Sequence, residues 1–595
     1  MSCRGISLSL LGTAALAATL VGAMRAEPAA SVDATAELLD PARVAASACR
    51  PLPNGRLSLW AVLDGVALVR AARAAEEVPL PPLLDGLGPR RITITTASAE
   101  AQRYFDQGFA WSNGFYHAEA VRAFRAAQRL DPSCAMCFWG EALALGPNIN
   151  LPMMPEAEAP ALAAIGRAQA LAVDASPKER ALIAAQARRH AAGGDRAALD
   201  RAYADAMREV ARQYPDDGDV GALFVEALMD LQPWDYWEVD RRTPKGSAGE
   251  AMALTERILA AEPDHPAAIH LYIHLMEASA DAGRAEAAAD RLGPLMPAAG
   301  HLVHMPSHIH YRLGRYRDSI DANEAAVRAD EAVLARQERQ RDVYGQLYYP
   351  HNVHFVMVSA MMAGQGDRAM AAADKLMGLI DPAAMAAAPP LQAIDMAPYF
   401  AYAQAADPER ILALADPGEA VALTRAAWRY ARGVALARLG RHAEALAEAD
   451  AMLEIGQQPV MDELEAWMVP GRDILQIGWH VVRGRVAWQA GRLGDAETEL
   501  RAAALIQDAL PYMEPPYWYY PVRQTLGAVQ LAAGRPADAA AAFAASLVEA
   551  PANGWSLWGL AEAQKAMGDR AAAEATRLLL ARAWAGEGSP DMDRL

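Results

Sequence analysis

Nine of the 13 histidines in this 595-residue chain fall between positions 265 and 354. They are His265, His270, His274, His301, His304, His308, His310, His351 and His354. A neutral imidazole is the commonest side-chain ligand for a transition metal, and two of them at i,i+3 or i,i+4 on a helix reach one ion from one face. That spacing recurs three times, as His270/His274, His301/His304/His308 and His351/His354. At about 100° per residue, Glu277 shares the helical face of His270 and His274, so these three alone supply a two-imidazole, one-carboxylate set. His310 points to the far side from His301, and His265 precedes Pro266 in a loop, so both stand outside the candidate site. No cysteine lies within the cluster, which excludes a Cys-rich structural zinc site.

Register strengthens the spacing argument. Counting back by the same offset from Gly283, Gly314 and Gly364 gives His270, His301 and His351, and slightly nearer each glycine stand His274, His304 and His354. Three successive units thus place imidazole pairs at equivalent positions. The candidate metal ligands are His270, His274, Glu277, His301, His304, His308, His351 and His354, and the metals that suit them are Zn, Cu or Fe. The weak point is Pro306, which denies a backbone donor inside "HLVHMPSHIHYRLG" and would leave His301 and His304 on an incoming loop if a helix began there. Tyr272, Met305, Tyr311, Tyr348, Tyr349 and Met357 surround the cluster, as core packing or as the lining of a ligand pocket.

The elements that position these residues are helices. Long Ala-rich stretches such as "RAAAEATRLLLARAWAG" favour helix and suit strands poorly. With 53% hydrophobic and 22% charged residues the chain can bury a large core. Its net charge of −18 argues against a phosphate-neutralising nucleic-acid surface. A cassette recurs in which a turn glycine is followed, five positions on, by Ala or Ser: Gly314 to Ser319, Gly440 to Ala445, Gly491 to Ala496, Gly534 to Ala539 and Gly568 to Ala573. The glycine fits a left-handed turn between antiparallel helices, and the small residue lets the second helix approach the first.

This cassette, with the Gly534 to Gly568 period and the prolines of "RLDPSC", "AAEPDHP" and "VEAPANGW", resembles the tetratricopeptide (TPR) repeat family. "YFDQGFAWSNGFYHAEAVRAF", "CAMCFWGEALALGPNIN" and "HNVHF" further resemble a group of bacterial exported TPR-domain proteins. The resemblance implies an all-α, right-handed superhelical solenoid of antiparallel helix pairs, some of them degenerate. It also implies that the histidines, on the first helix of each pair, face a shared concave groove.

Residues 1–26 read as a secretory signal peptide, with Arg4, an apolar run and small residues near Ala23 and Ala26; an uncleaved anchor is the alternative. The chain is therefore expected in the periplasm or outside the cell, with no membrane span after signal cleavage. An irregular Ala/Pro-rich segment at 27–90 precedes two TPR-like regions, 91–380 with the histidines and 391–585 without them, with a bend at the Pro/Ala run between. In an oxidising compartment Cys134 and Cys137 form a local disulfide in the simplest reading, and Phe138 after them excludes covalent haem attachment. "EPPYWYYPVRQ" at 514–524 is either a recognition surface or a packed lead-in to the next repeat. No nucleophile elbow, phosphate loop or zinc-peptidase helix occurs in the sequence. Two functions remain: a scaffold gripping a protein or peptide in its groove, with a His-rich metal site, or a metal-dependent enzyme acting there on a small molecule.

Overall fold

The computed structural model describes residues 80–591, apart from 151 and 338–343, together with Arg594. The leader and residues 27–79 lie outside the described part. Helices follow one another in antiparallel pairs from Ala99–Asn113 and His117–Leu130 to Gly554–Ala566 and Arg570–Ala583, with no strand among the described residues. The chain is an all-α, TPR-like solenoid.

The packing logic of the repeat is visible at both ends of the chain. Phe124 is wedged between Gly108 and Gly140, and Phe543 between Gly527 and Gly559, at identical spacing. A Cβ on Gly140 or Gly559 would overlap the wedged ring, so the glycines let three helices close on one fully buried phenylalanine. Five cassette glycines, Gly314, Gly440, Gly491, Gly534 and Gly568, adopt φ between 71° and 84°. The small residues after them, Ser319, Ala445, Ala496, Ala539 and Ala573, are all buried. Gly283 departs from this pattern: it sits within a 3-10 turn, Ala282–Ala285, and has no left-handed φ.

Pro306 does divide its helix, into Gly300–His304 and Pro306–Arg312. Met305 between them keeps helical angles (φ −50°, ψ −37°), so the two pieces run on with a local break and His301 and His304 remain helical. Residues 382–391 form a short helix, Pro382–Ala387, and a single 3-10 turn, Pro389–Leu391.

The solenoid then returns on itself. Trp555 Nε1 donates to the Met361 carbonyl at 2.9 Å, and Arg317 donates to the Trp584 carbonyl at 2.6 Å. The Ala585 amide donates to the Ala363 carbonyl at 2.8 Å, and Gly364 gives way to the Trp584 ring. Residues 517–520, the aromatic centre of "EPPYWYYPVRQ", are buried rather than displayed. That segment is the packed lead-in to the Val522–Ala532 helix.

Candidate metal centre

Four helical segments deliver the imidazoles. Pro266–Glu277 carries His270, His274 and Glu277; Gly300–His304 carries His301 and His304; Pro306–Arg312 carries His308; Tyr349–Ala363 carries His351 and His354. None of these eight side chains is more than 4% exposed. Six of them form two adjacent trios, His270/His274/His301 and His304/His308/His351, in each of which the candidate ligand atoms lie within 4.8 Å of one another, and Glu277 forms a third group of the same kind with His308 and Glu514. The middle helix thus serves both groups. The trios abut, with His301 and His304 ring centres 5.9 Å apart and those of His274 and His308 6.0 Å apart.

The hydrogen bonds at Nδ1 fix which nitrogen is offered. His270 Nδ1 lies 2.7 Å from the Asn113 carbonyl oxygen, and His274 Nδ1 lies 2.7 Å from Glu277 Oε1. His308 Nδ1 lies 2.6 Å from Glu277 Oε2, and His304 Nδ1 lies 2.6 Å from Asn323 Oδ1, an amide oriented by its own donation to the Ser319 carbonyl. Carbonyl and carboxylate oxygens only accept, so all four Nδ1 atoms carry a proton, and in each ring that is neutral Nε2 bears the lone pair. These Nε2 atoms meet in twos: His270 and His274 at 3.1 Å, His304 and His308 at 2.8 Å. Two lone pairs at that separation repel unless a cation lies between them, whereas a second proton on one ring makes the contact an ordinary hydrogen bond. Two nitrogens each about 2.0–2.1 Å from one ion stand roughly 2.9–3.4 Å apart for coordination angles from square to tetrahedral, a range that holds the His270/His274 separation but not the shorter His304/His308 one.

The electrostatics agree. Burial, reinforced by neighbouring imidazoles, pushes His270, His301, His304 and His351 well below the ordinary imidazole value, which keeps them neutral donors. Burial lowers His274 as well, against the pull of Glu277. His308 is the exception: burial opposes its charge, but Glu277 and Glu514 outweigh burial and hold it up at about 10. Burial works against the charge of Glu277 too, and the facing His308 and His274 bring it down to about 2. In the metal-free chain a proton on His308 holds the second Nε2 pair together, whereas the first pair has no such proton. One carboxylate therefore orients an imidazole in each trio, the arrangement by which outer groups tune metal ligands.

Each trio also has its own phenylalanine. Phe115 lies 4.4 Å from His270, and Phe355 lies 4.9–5.0 Å from His304, His308 and His351, centre to centre. Phe115 adopts φ 57°, Trp234, edge-on to His274, φ 63°, and Arg241 φ 55°. Left-handed backbone is costly for residues with a Cβ and concentrates at functional sites. Both nitrogens of His301 are buried without a hydrogen-bond partner, and its backbone N–H donates to Tyr344 Oη at 3.0 Å. Tyr344 in turn donates to the buried Asp330, which also accepts from Asn352 Nδ2, linking the helices of His301 and His351.

His354 belongs to neither trio. It packs edge-on against Tyr519 at 5.1 Å, on the side of its helix facing the returning C-terminal half. His265 caps its helix through the Ala268 amide, and His310 meets Asp290 at 2.9 Å, both away from the cluster. Glu514, Tyr512, Asn113, Asn323, Phe115 and Phe355 were not among the sequence candidates. Glu514 comes from 237 residues beyond Glu277, where no local pattern links the two. The "SNGFYH" stretch, with an aromatic directly after Asn-Gly, was the one signal that could have drawn attention to Phe115. Cys134 and Cys137 are joined by a disulfide at the start of the Ala135–Ala144 helix.

No protein-family model matches the chain, and no curated protein does. Among solved structures, the human IFIT1 dimer with PPP-AAAA is similar over 91% of this chain and 99% of its own, at 11% identity and a TM-score of 0.30. Naa15/Naa10 bound to HypK-THB is similar over 81% of this chain and 70% of its own, at 13% identity and a TM-score of 0.21. The P58(IPK) TPR domain is similar over 57% of this chain and 93% of its own, at 14% identity and a TM-score of 0.16.

Proposed function

We propose that this chain is a metalloprotein whose TPR-like scaffold buries a pair of transition-metal sites, one in each histidine trio. The observation that supports the reading is the apposition of the neutral His270 and His274 at Nε2, 3.1 Å apart with both Nδ1 atoms committed to acceptors, beside a second imidazole pair, His304 and His308. With imidazole donors only, copper and zinc fit ahead of iron, whose common three-residue set includes a carboxylate, and ahead of magnesium or calcium, which prefer oxygen. Three protein ligands leave each ion an open position. Because the trios abut, ions held there would supply Lewis-acid chemistry to a small molecule that reaches both.

The alternative of a peptide gripped against the histidines has to contend with residues 512–520, which occupy that face: Glu514 Oε2 lies 3.3 Å from His308 Nδ1, and Tyr519 packs on His354. A protein partner belongs on another surface of the solenoid. Export, read from the leader, is part of the proposal and would place metal loading outside the cytosol.

Calorimetric titration of chelator-stripped, untagged protein with Zn(II) and with Cu(II) tests the reading. Two saturable equivalents are expected, with affinity falling as pH is lowered, because protons compete for the same nitrogens. Absence of saturable uptake of either metal would end it.

A further inference from the structure

Two arginines between the metal centre and the surface are not accounted for by ion pairing. Arg241 Nε donates to the Ala278 carbonyl at 2.9 Å, and Arg312 Nη2 donates to the Ser279 carbonyl at 3.2 Å. Consecutive carbonyls just past the Pro266–Glu277 helix therefore hold both guanidinium groups in one place. Both groups also lie against the Tyr512 ring, each 5.7 Å from its centre. The only carboxylate within ion-pair range of Arg241 among the described residues is the exposed Glu549, at 3.9 Å, and Arg312 has none.

Capping a helix C-terminus explains one N–H of each arginine. It does not explain why Arg241 Nη2 and Arg312 Nε are shut off from water without any partner. Nor does it explain two like charges on one ring, or the left-handed φ of 55° that brings Arg241 there. Burial and the neighbouring Arg312 hold Arg241 below the usual guanidinium value, the direction expected where a counter-charge is missing.

An oxyanion that reaches both guanidinium groups would take the unpaired N–H donors and offset the repulsion, through the charged hydrogen bonds arginine makes to carboxylate and phosphate. We propose that Arg241 and Arg312 form a receptor for a small oxyanion, a carboxylate or phosphate group, set directly beside the histidine trios. Tyr512 is the wall between them: its hydroxyl donates to Glu514 and lies 3.4 Å from Glu277 Oε2, the oxygen that orients His308. The receptor stands on the arginines alone. That its occupant is a substrate or inhibitor of the metal centre rests on the function proposed above.

Calorimetric titration of the full chain with inorganic phosphate and with acetate at low ionic strength, metal-free and zinc-loaded, tests this. One-to-one binding is expected in both forms. Arg241→Met and Arg312→Met should each weaken it by about tenfold to a hundredfold, the value of a charged hydrogen bond. Should the methionine variants fail to fold, Arg241→Lys and Arg312→Lys keep charge and a capping donor, and their loss of guanidinium pairing is read instead. Preference for phosphate identifies phosphoester ligands, and preference for acetate identifies carboxylates. Wild-type protein that binds neither anion, or variants whose melting temperature falls while anion affinity stays the same, would overturn the receptor and leave a helix cap. Anion binding that persists in a chain unable to take up metal would count against the metal centre alone.

Discussion

Replacing Glu277 by glutamine separates the two metal sites by a single atom. In the native chain Glu277 Oε1 accepts from His274 Nδ1 at 2.7 Å and Oε2 accepts from His308 Nδ1 at 2.6 Å. Glutamine keeps the shape but offers one acceptor and one donor. The imidazole that meets the amide N–H must present its own lone pair at Nδ1, which moves its proton to Nε2 and blocks ligation there. One trio is disabled as a three-nitrogen site and the other keeps its orienting oxygen. Loss of an orienting outer partner costs about tenfold to a hundredfold in metal affinity, or roughly 1.4–2.8 kcal/mol. Glu277→Gln should therefore show one tight and one weakened site in a stepwise titration against a competing chelator, where the wild type shows two tight ones. Glu277→Ala, which leaves both Nδ1 atoms without an acceptor, should weaken both. Two unchanged steps in Glu277→Gln would refute the orienting role and, with it, the assignment of Nε2 as the ligand atom.

Further expectations follow from the fold. Gly364→Ala meets both a left-handed φ of 75° and the Trp584 ring, whereas Gly440→Ala meets only a φ of 71° with no atom within 4 Å. Gly440→Ala should cost about 1–2 kcal/mol in denaturant unfolding, with Gly364→Ala costing clearly more and speeding amide exchange across residues 512–520. Equal costs would show that the Trp584 contact does not hold the C-terminal half in place. His117 and His190 are buried, and burial lowers them to about 4 and about 3. Groups depressed in this way contribute stability that is fully present above the unfolded value near 6.5 and lost as pH falls through their folded values. Each should steepen the decline of unfolding free energy below pH 6.5 by at most about 1.4 kcal/mol per pH unit. His117→Asn and His190→Asn should flatten the profile there, and unchanged slopes would contradict their burial as neutral rings.

The sequence was most informative where structure repeats. The turn glycines Gly314 and Gly364 and the histidines before them share a register because successive helix pairs share a geometry, and that geometry carried His270, His301 and His351 onto the same inward face. Gly283 satisfied the count without the left-handed turn. What periodicity could not show was the partition. His301 and His304 share a helical face yet serve different trios, because the helices on either side approach that face from opposite directions. His354 matched the register but faces Tyr519, since one helix buried on all sides turns one face to the histidine trio and its flank to packing. Glu514 and Tyr512 could not be found from local patterns, as only closure of the C-terminal half brings them to Glu277. The buried "PYWYYP" segment has the composition of a recognition surface because tight aromatic packing and recognition draw on the same side chains.

The central claim is that each trio holds its own metal ion, and element counting on untagged protein reconstituted with copper or zinc tests it most directly. The wild type should retain two ions per chain, His270→Ala and His351→Ala one each, and His354→Ala two. No retained metal in the wild type, or both ions kept in His270→Ala and His351→Ala alike, would contradict it.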